Sequence, residues 1–138
     1  MNGTEILNLA RQHLSDAIAK FQSPIPPPLR VSPWIAMSAL QKAVRRGNEH
    51  LAYRAAATLL EAAPERLWRC CGAIAFEDMG IADLEILSLV TASLAGKRFR
   101  SELGGECQVA SFIVSRMVAA KKCRAADDPQ RVKRLDHA

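Results

Sequence analysis

Two groups of side chains in this sequence have the types and spacing for chemistry. The first is Glu77-Asp78, adjacent carboxylates that open the run E-D-x-G-x-A-D ending at Asp83. Paired carboxylates can divide general-acid and general-base work, but neighbours on a helix diverge by ~100° and face different directions. Acids in the last turn of a helix also oppose its dipole, at about 0.3–1 kcal/mol each when exposed. The pattern therefore predicts structural ion pairs, with Lys42, Arg45 or Arg46 at the end of a neighbouring helix as the cations. The second group is Lys97, Arg98, Phe99 and Arg100, a basic loop ahead of Gly104-Gly105 and a helix start. Cations, an interleaved aromatic and free backbone amides would suit a phosphate backbone with a stacked base. Lys121, Lys122 and Arg124 extend this candidate nucleic-acid site if the following helix ends on the same side.

The remaining reactive types point away from catalysis. Cysteines stand at 70, 71, 107 and 123. Adjacent cysteines rarely bridge each other, and no C-x-x-C or H-x-x-x-H pair offers zinc-ligand spacing. They are expected to be buried, apolar thiols in a reducing cytoplasm. His13, His50 and His137 also lack metal-ligand spacing. No cofactor, no metal and no enzymatic activity are expected. Trp68 lies on an apolar helical stripe and is expected in the core. Trp34, at a helix start beside a proline-rich segment, is expected first as a core anchor and second as an anchor for a protein partner, and Tyr53 and Arg54 on the next helix are further candidates for a protein interface.

Helices must position these residues. Alanine occurs 23 times and leucine 15, against 18 for valine, isoleucine and threonine together. That balance favours helix over sheet, and no stretch alternates with period two between hairpin turns. A first helix is predicted from Thr4 to Phe21, with Leu7, Ala10, Leu14, Ala17, Ile18 and Phe21 on one face. The segment at 22–33 holds five of the seven prolines and reads as an extended, rigid strap. Ser32-Pro33 then caps a second helix, Trp34 to Arg46. Gly47 ends it and Asn48 caps a third running to Ala62. Pro64 opens a fourth helix that Gly80 closes, and Asp83 caps a fifth through Leu94. After the basic loop, a sixth covers Glu106 to Cys123, and a polar tail is expected to fray over 124–138. Links of two to four residues between helices two and five predict antiparallel neighbours. The expected fold is all-α, a single compact bundle of five to six helices over 34–123 built from antiparallel helical hairpins.

Net charge narrows the partners. Residues 1–96 carry nine basic and nine acidic groups, whereas residues 97–138 carry ten basic and five acidic, so the net +5 lies in the last third. That asymmetry suggests a local anionic partner. No uncharged run exceeds 11 residues, against the ~18 needed to span a bilayer, so no membrane segment is expected. The N-terminal MNGTEILNLARQ has no continuous apolar core and is not expected to be a secretory signal.

From Ser38 to Leu87 three pieces stand out: S-A-L-x-K-x-V-R at 38–45, L-L-E at 59–61, and E-D-x-G-x-A-D at 77–83. Together they resemble the C-terminal helical region of the replication-associated recombination protein A family of AAA+ ATPases, called Werner helicase-interacting protein in eukaryotes. In that family the region follows an ATPase module, mediates oligomerisation like a clamp-loader collar, and works at stalled forks beside DNA and single-strand binding protein. This chain has no G-x-x-x-x-G-K-[ST] phosphate loop, so the resemblance implies a collar-like domain without its motor. The expected function is a non-catalytic accessory of DNA replication or recombination in the cytoplasm, with a protein partner, nucleic acid as a second candidate, and self-association. The alternative is an adaptor or inhibitor, such as one encoded by a mobile element, that captures a replication or nuclease complex without touching DNA. A small enzyme ranks last, because no convergent polar pocket is readable.

Overall fold

The computed structural model describes residues 2–22, 26–79 and 83–120. Among these residues there are seven α-helices and no strands. Helix α1 spans Gly3–Ile18, α2 Pro33–Arg46, α3 Glu49–Ala62, α4 Pro64–Ile74, α5 Leu84–Ser93, α6 Lys97–Glu102 and α7 Glu106–Ala119. A π-helical turn, Ala75–Met79, continues α4.

Local chemistry sets most of the boundaries. Asn2 and Glu5 form a reciprocal capping box, in which the Glu5 amide donates to Asn2 Oδ1 at 2.8 Å. Ser32, Asn48 and Asp83 each accept a backbone amide three residues on, from Ile35, Leu51 and Ile86. Pro33 and Pro64 sit at first helical positions, where no amide hydrogen is needed. Gly47 adopts a left-handed φ of 70°, which ends α2 cheaply because glycine has no Cβ.

Three boundaries depart from the sequence pattern. Helix α1 ends at Ile18 rather than Phe21. The Phe21 carbonyl instead accepts from Gln108 Nε2 at 2.7 Å, and its ring meets Phe112 edge-on at 5.4 Å. Helix α7 ends at Ala119, with Ala120 extended, so it is shorter than the predicted run to Cys123. The expected closure at Gly80, the tail at 124–138 and part of the strap lie outside the described residues. The third departure is an additional helix, α6, where a loop was predicted.

The core gathers one face of every long helix. Leu40 and Val44 of α2 meet α3, whose buried positions are mostly small: Ala52, Ala55, Ala56 and Leu59. Small side chains let α2 and α7 approach α3 closely. Val109, Ile113 and Met117 of α7, Leu89 and Val90 of α5, and Leu67, Trp68 and Ile74 of α4 complete the interior. Helix α1 lies on α5 through Leu14 and Ile18.

One ion pair runs through this apolar interior. The Asp78 side chain in the π-helical turn is fully buried, and Arg45 Nε near the end of α2 donates to Asp78 Oδ2 at 3.3 Å. Of the three expected cations only Arg45 reaches an acid among the described residues. Lys42 and Arg46 stay at the surface, as does Glu77, and no ion pair joins them among the described residues. A buried carboxylate left without its cation is far more costly than an exposed one. Arg45→Met should therefore lower stability in urea titrations by ~3–5 kcal/mol, and Asp78→Ala similarly. The double variant Arg45→Met/Asp78→Leu should recover a large part of that loss, because it removes both members of this ion pair together.

Candidate functional site

The basic segment folds as α6 between glycines with positive φ, Gly96 at 133° on one side and Gly104 and Gly105 at 106° and 100° on the other. This helix turns Arg100 inward, where it is only 8% exposed. Its Nη1 donates to the Ser93 carbonyl at 2.9 Å, and its Nε donates to Glu106 Oε1 at 3.2 Å. The guanidinium carbon lies 4.3 Å from the centroid of the Trp68 ring. Arg100 thus joins the end of α5, the start of α7 and the middle of α4. Its planar, weakly hydrated cation suits a site that combines a carboxylate, a carbonyl and an aromatic face.

This arrangement corrects the sequence reading of Arg100 as a nucleic-acid contact. The predicted stacking platform changes too: Phe99 is half-buried against the core, with Arg11 5.7 Å from its ring centroid. Lys97 and Arg98 face solvent, and Arg98 reaches only an exposed i,i+4 partner, Glu102, at 3.9 Å. Lys121, Lys122 and Arg124 lie outside the described residues. Of the seven predicted contacts, the described residues place two cations on the surface together.

The predicted protein-facing residues separate in a different way. Trp34 is 68% exposed at the start of α2, its ring propped by the Arg66 guanidinium at 4.8 Å. Ile35 beside it and Val31 before it are exposed as well. Trp34, Met37 and Gln41 of α2 and Arg69 and Cys70 of α4 line a cleft of about 440 Å³ next to the ring. Tyr53 and Arg54 turn their polar ends to neighbours within the molecule. The Tyr53 hydroxyl donates to Glu49 at 2.6 Å, and Arg54 Nε donates to the Pro27 carbonyl at 3.1 Å. They secure the strap's surroundings rather than extend the Trp34 face. Trp68 is buried as expected.

Cys70, Cys71 and Cys107 are free thiols. The first two are buried, but Cys107, in the first turn of α7, is exposed, contrary to expectation. Burial, reinforced by the nearby Asp78 and Glu77 charges, pushes the Cys70 thiol up to about 11, and burial raises Cys71 further. Among the described residues no group of three His, Cys, Asp or Glu side chains could hold a metal ion. His13 lies 3.6 Å from Glu85, which also accepts a hydrogen bond from Arg116.

Sequence reasoning missed Glu106, the acid that draws Arg100 inward. It lies six residues downstream, across a Gly-Gly turn, a separation that no helical periodicity flags. No helix of the described residues is long and apolar enough to cross a membrane. Compared with models of protein families, with curated proteins and with solved structures, the chain matches none.

Two outcomes follow from this geometry. Arg100→Ala should destabilise the fold by ~1–3 kcal/mol in denaturant titration, since it removes the bonds to the Ser93 carbonyl and Glu106, whereas Lys97→Glu should stay within ~0.5 kcal/mol of the parent. In iodoacetamide labelling at pH 8, Cys107 should react while Cys70 resists, because a thiol held near 11 is thiolate only about one time in a thousand at that pH. The same raised thiol makes the folded state hold its proton to higher pH than the unfolded chain. Its contribution is complete below the ordinary thiol value of 9.0 and disappears as pH rises toward about 11, so thermal melts should weaken through that window.

Proposed function

We propose that this chain is a non-catalytic accessory of DNA replication or recombination, a collar-like helical module that acts by protein contact. The reading takes it as a compact bundle of antiparallel hairpins, and no reaction is assigned to it. The observation that carries it is Trp34: a large aromatic side chain, mostly exposed, held in place by Arg66 and set beside a cleft. Exposed tryptophans stacked under arginine are the type of group that dominates binding energy at interfaces.

The family resemblance gains support from where its pieces lie. The arginine that ends S-A-L-x-K-x-V-R is Arg45, and the aspartate of E-D-x-G-x-A-D is Asp78, so its two most specific ends meet in one buried ion pair. The final aspartate of the second piece caps α5. Free thiols suit a reducing compartment, and the cytoplasm is the proposed location. A second copy of the chain is a candidate occupant of the Trp34 face, alongside a replication or nuclease complex. The adaptor or inhibitor role differs from the accessory role in consequence, and both use this contact.

Lys97 and Arg98 favour a second reading, direct contact with nucleic acid, because both remain at the surface in the chain's basic third. Two cations alone give a weak, salt-sensitive contact. Affinity capture from the native host with the parent chain, Trp34→Ala and Lys97→Glu/Arg98→Glu separates the two. The protein reading expects Trp34→Ala to lose its captured proteins by about tenfold or more while melting like the parent, and the charge-reversed variant to keep them. Unchanged protein capture by Trp34→Ala, with nucleic acid lost from Lys97→Glu/Arg98→Glu, would favour the second reading instead.

A further inference from the structure

We infer that the cavity between the proline strap, α3 and α7 is a binding site for a small organic cation, a molecule with an aliphatic or aromatic body and an ammonium-type head. The cavity holds about 600 Å³, within the range of small-molecule sites. Its body is apolar, walled by Pro26, Pro27 and Pro28 on one side and by Ala56, Leu60 and Ala110 on the other. Alanines on two facing helices leave the space open, where larger side chains would have closed it.

The wall is preformed. Arg54 Nε donates to the Pro27 carbonyl at 3.1 Å, and Thr58 Oγ1 donates to the Leu29 carbonyl at 2.9 Å, so α3 holds the strap at two points. Consecutive prolines are already stiff, and little freedom is left to lose when a ligand enters.

The polar groups at the edge select the sign of the head. Glu61 lines the cavity and has no ion-pair partner among the described residues. Tyr53 also lines it, but its hydroxyl is engaged with Glu49 and Ser115 and brings no charge to the cavity. Burial and the bond to Glu49 push that phenol up to about 12, which keeps the arrangement intact at neutral pH. Ser111 and Cys107 are neutral and set no charge preference. No lysine, arginine or histidine is among the lining residues, and the Arg54 guanidinium is engaged with the strap carbonyl. An apolar body therefore fits, a positive head is attracted by Glu61, and a carboxylate head is repelled.

Two probes with the same body test this: 4-phenylbutylamine and 4-phenylbutyrate, titrated against the full chain and followed by alanine methyl NMR shifts. The amine should bind about threefold or more tightly than the acid. Glu61→Gln should erase that difference, and Ala57→Leu, which adds bulk beside the cavity, should abolish shifts with either probe. In the unaltered chain, the amine should also slow iodoacetamide labelling of Cys107. Equal binding of the two probes, or shifts that avoid α3 and α7, would overturn the inference. Should Ala57→Leu fail to fold, unslowed labelling of Cys107 in the parent chain would overturn it by itself.

Discussion

A carboxylate with no access to water sits at the junction of α4 and its π-helical turn, and the arrangement of the neighbouring helices follows from it. Asp78 is tolerated there because Arg45 approaches from α2, and Arg45 can do so only if the end of α2 lies against that turn. The pair thus adds a positional constraint to an apolar core. Buried pairs of this kind often contribute little net stability compared with an apolar replacement, so registry is their best-supported use. The Arg100 network repeats the principle at the middle of α4. One guanidinium faces a carboxylate, a carbonyl and an indole ring, and it ties α4, α5 and α7 together.

These two interior cations change how the chain's charge is read. The net +5 remains, but Arg45 and Arg100 are committed to internal acids, and the surface part of the predicted basic patch shrinks to Lys97 and Arg98 among the described residues. Meanwhile Val31, Trp34 and Ile35 form one exposed apolar patch, alongside exposed Ile6, Leu9, Phe76, Leu84 and Leu94 elsewhere. Burying such area against a partner is the largest favourable term open to this surface.

Much of this was legible in the sequence because it is local. Asn2, Ser32, Asn48 and Asp83 cap the helices they precede, since capping acts over three residues. Asp78 was legible in part. It stands four residues after Ile74, seven after Cys71 and eleven after Leu67, on the buried stripe of α4, so its position argued for burial while its charge argued against it. The matching cation, 33 residues earlier, resolves that conflict. The fate of Arg100 was not legible. It depends on Trp68, which is far away in the chain, and on Glu106 across a turn whose glycines adopt positive φ. Trp34 was ambiguous for a related reason: apolar type alone does not tell a core anchor from a surface one, and only the packing of α2 decides.

The most direct measurement is fluorescence anisotropy of a labelled single-stranded oligonucleotide titrated with the full chain at 50 and 200 mM salt. No more than a weak rise at low salt that vanishes at 200 mM is expected, because among the described residues the basic segment keeps only Lys97 and Arg98 at the surface. Tight binding that persists at 200 mM, with a salt slope matching many phosphate contacts, would contradict it.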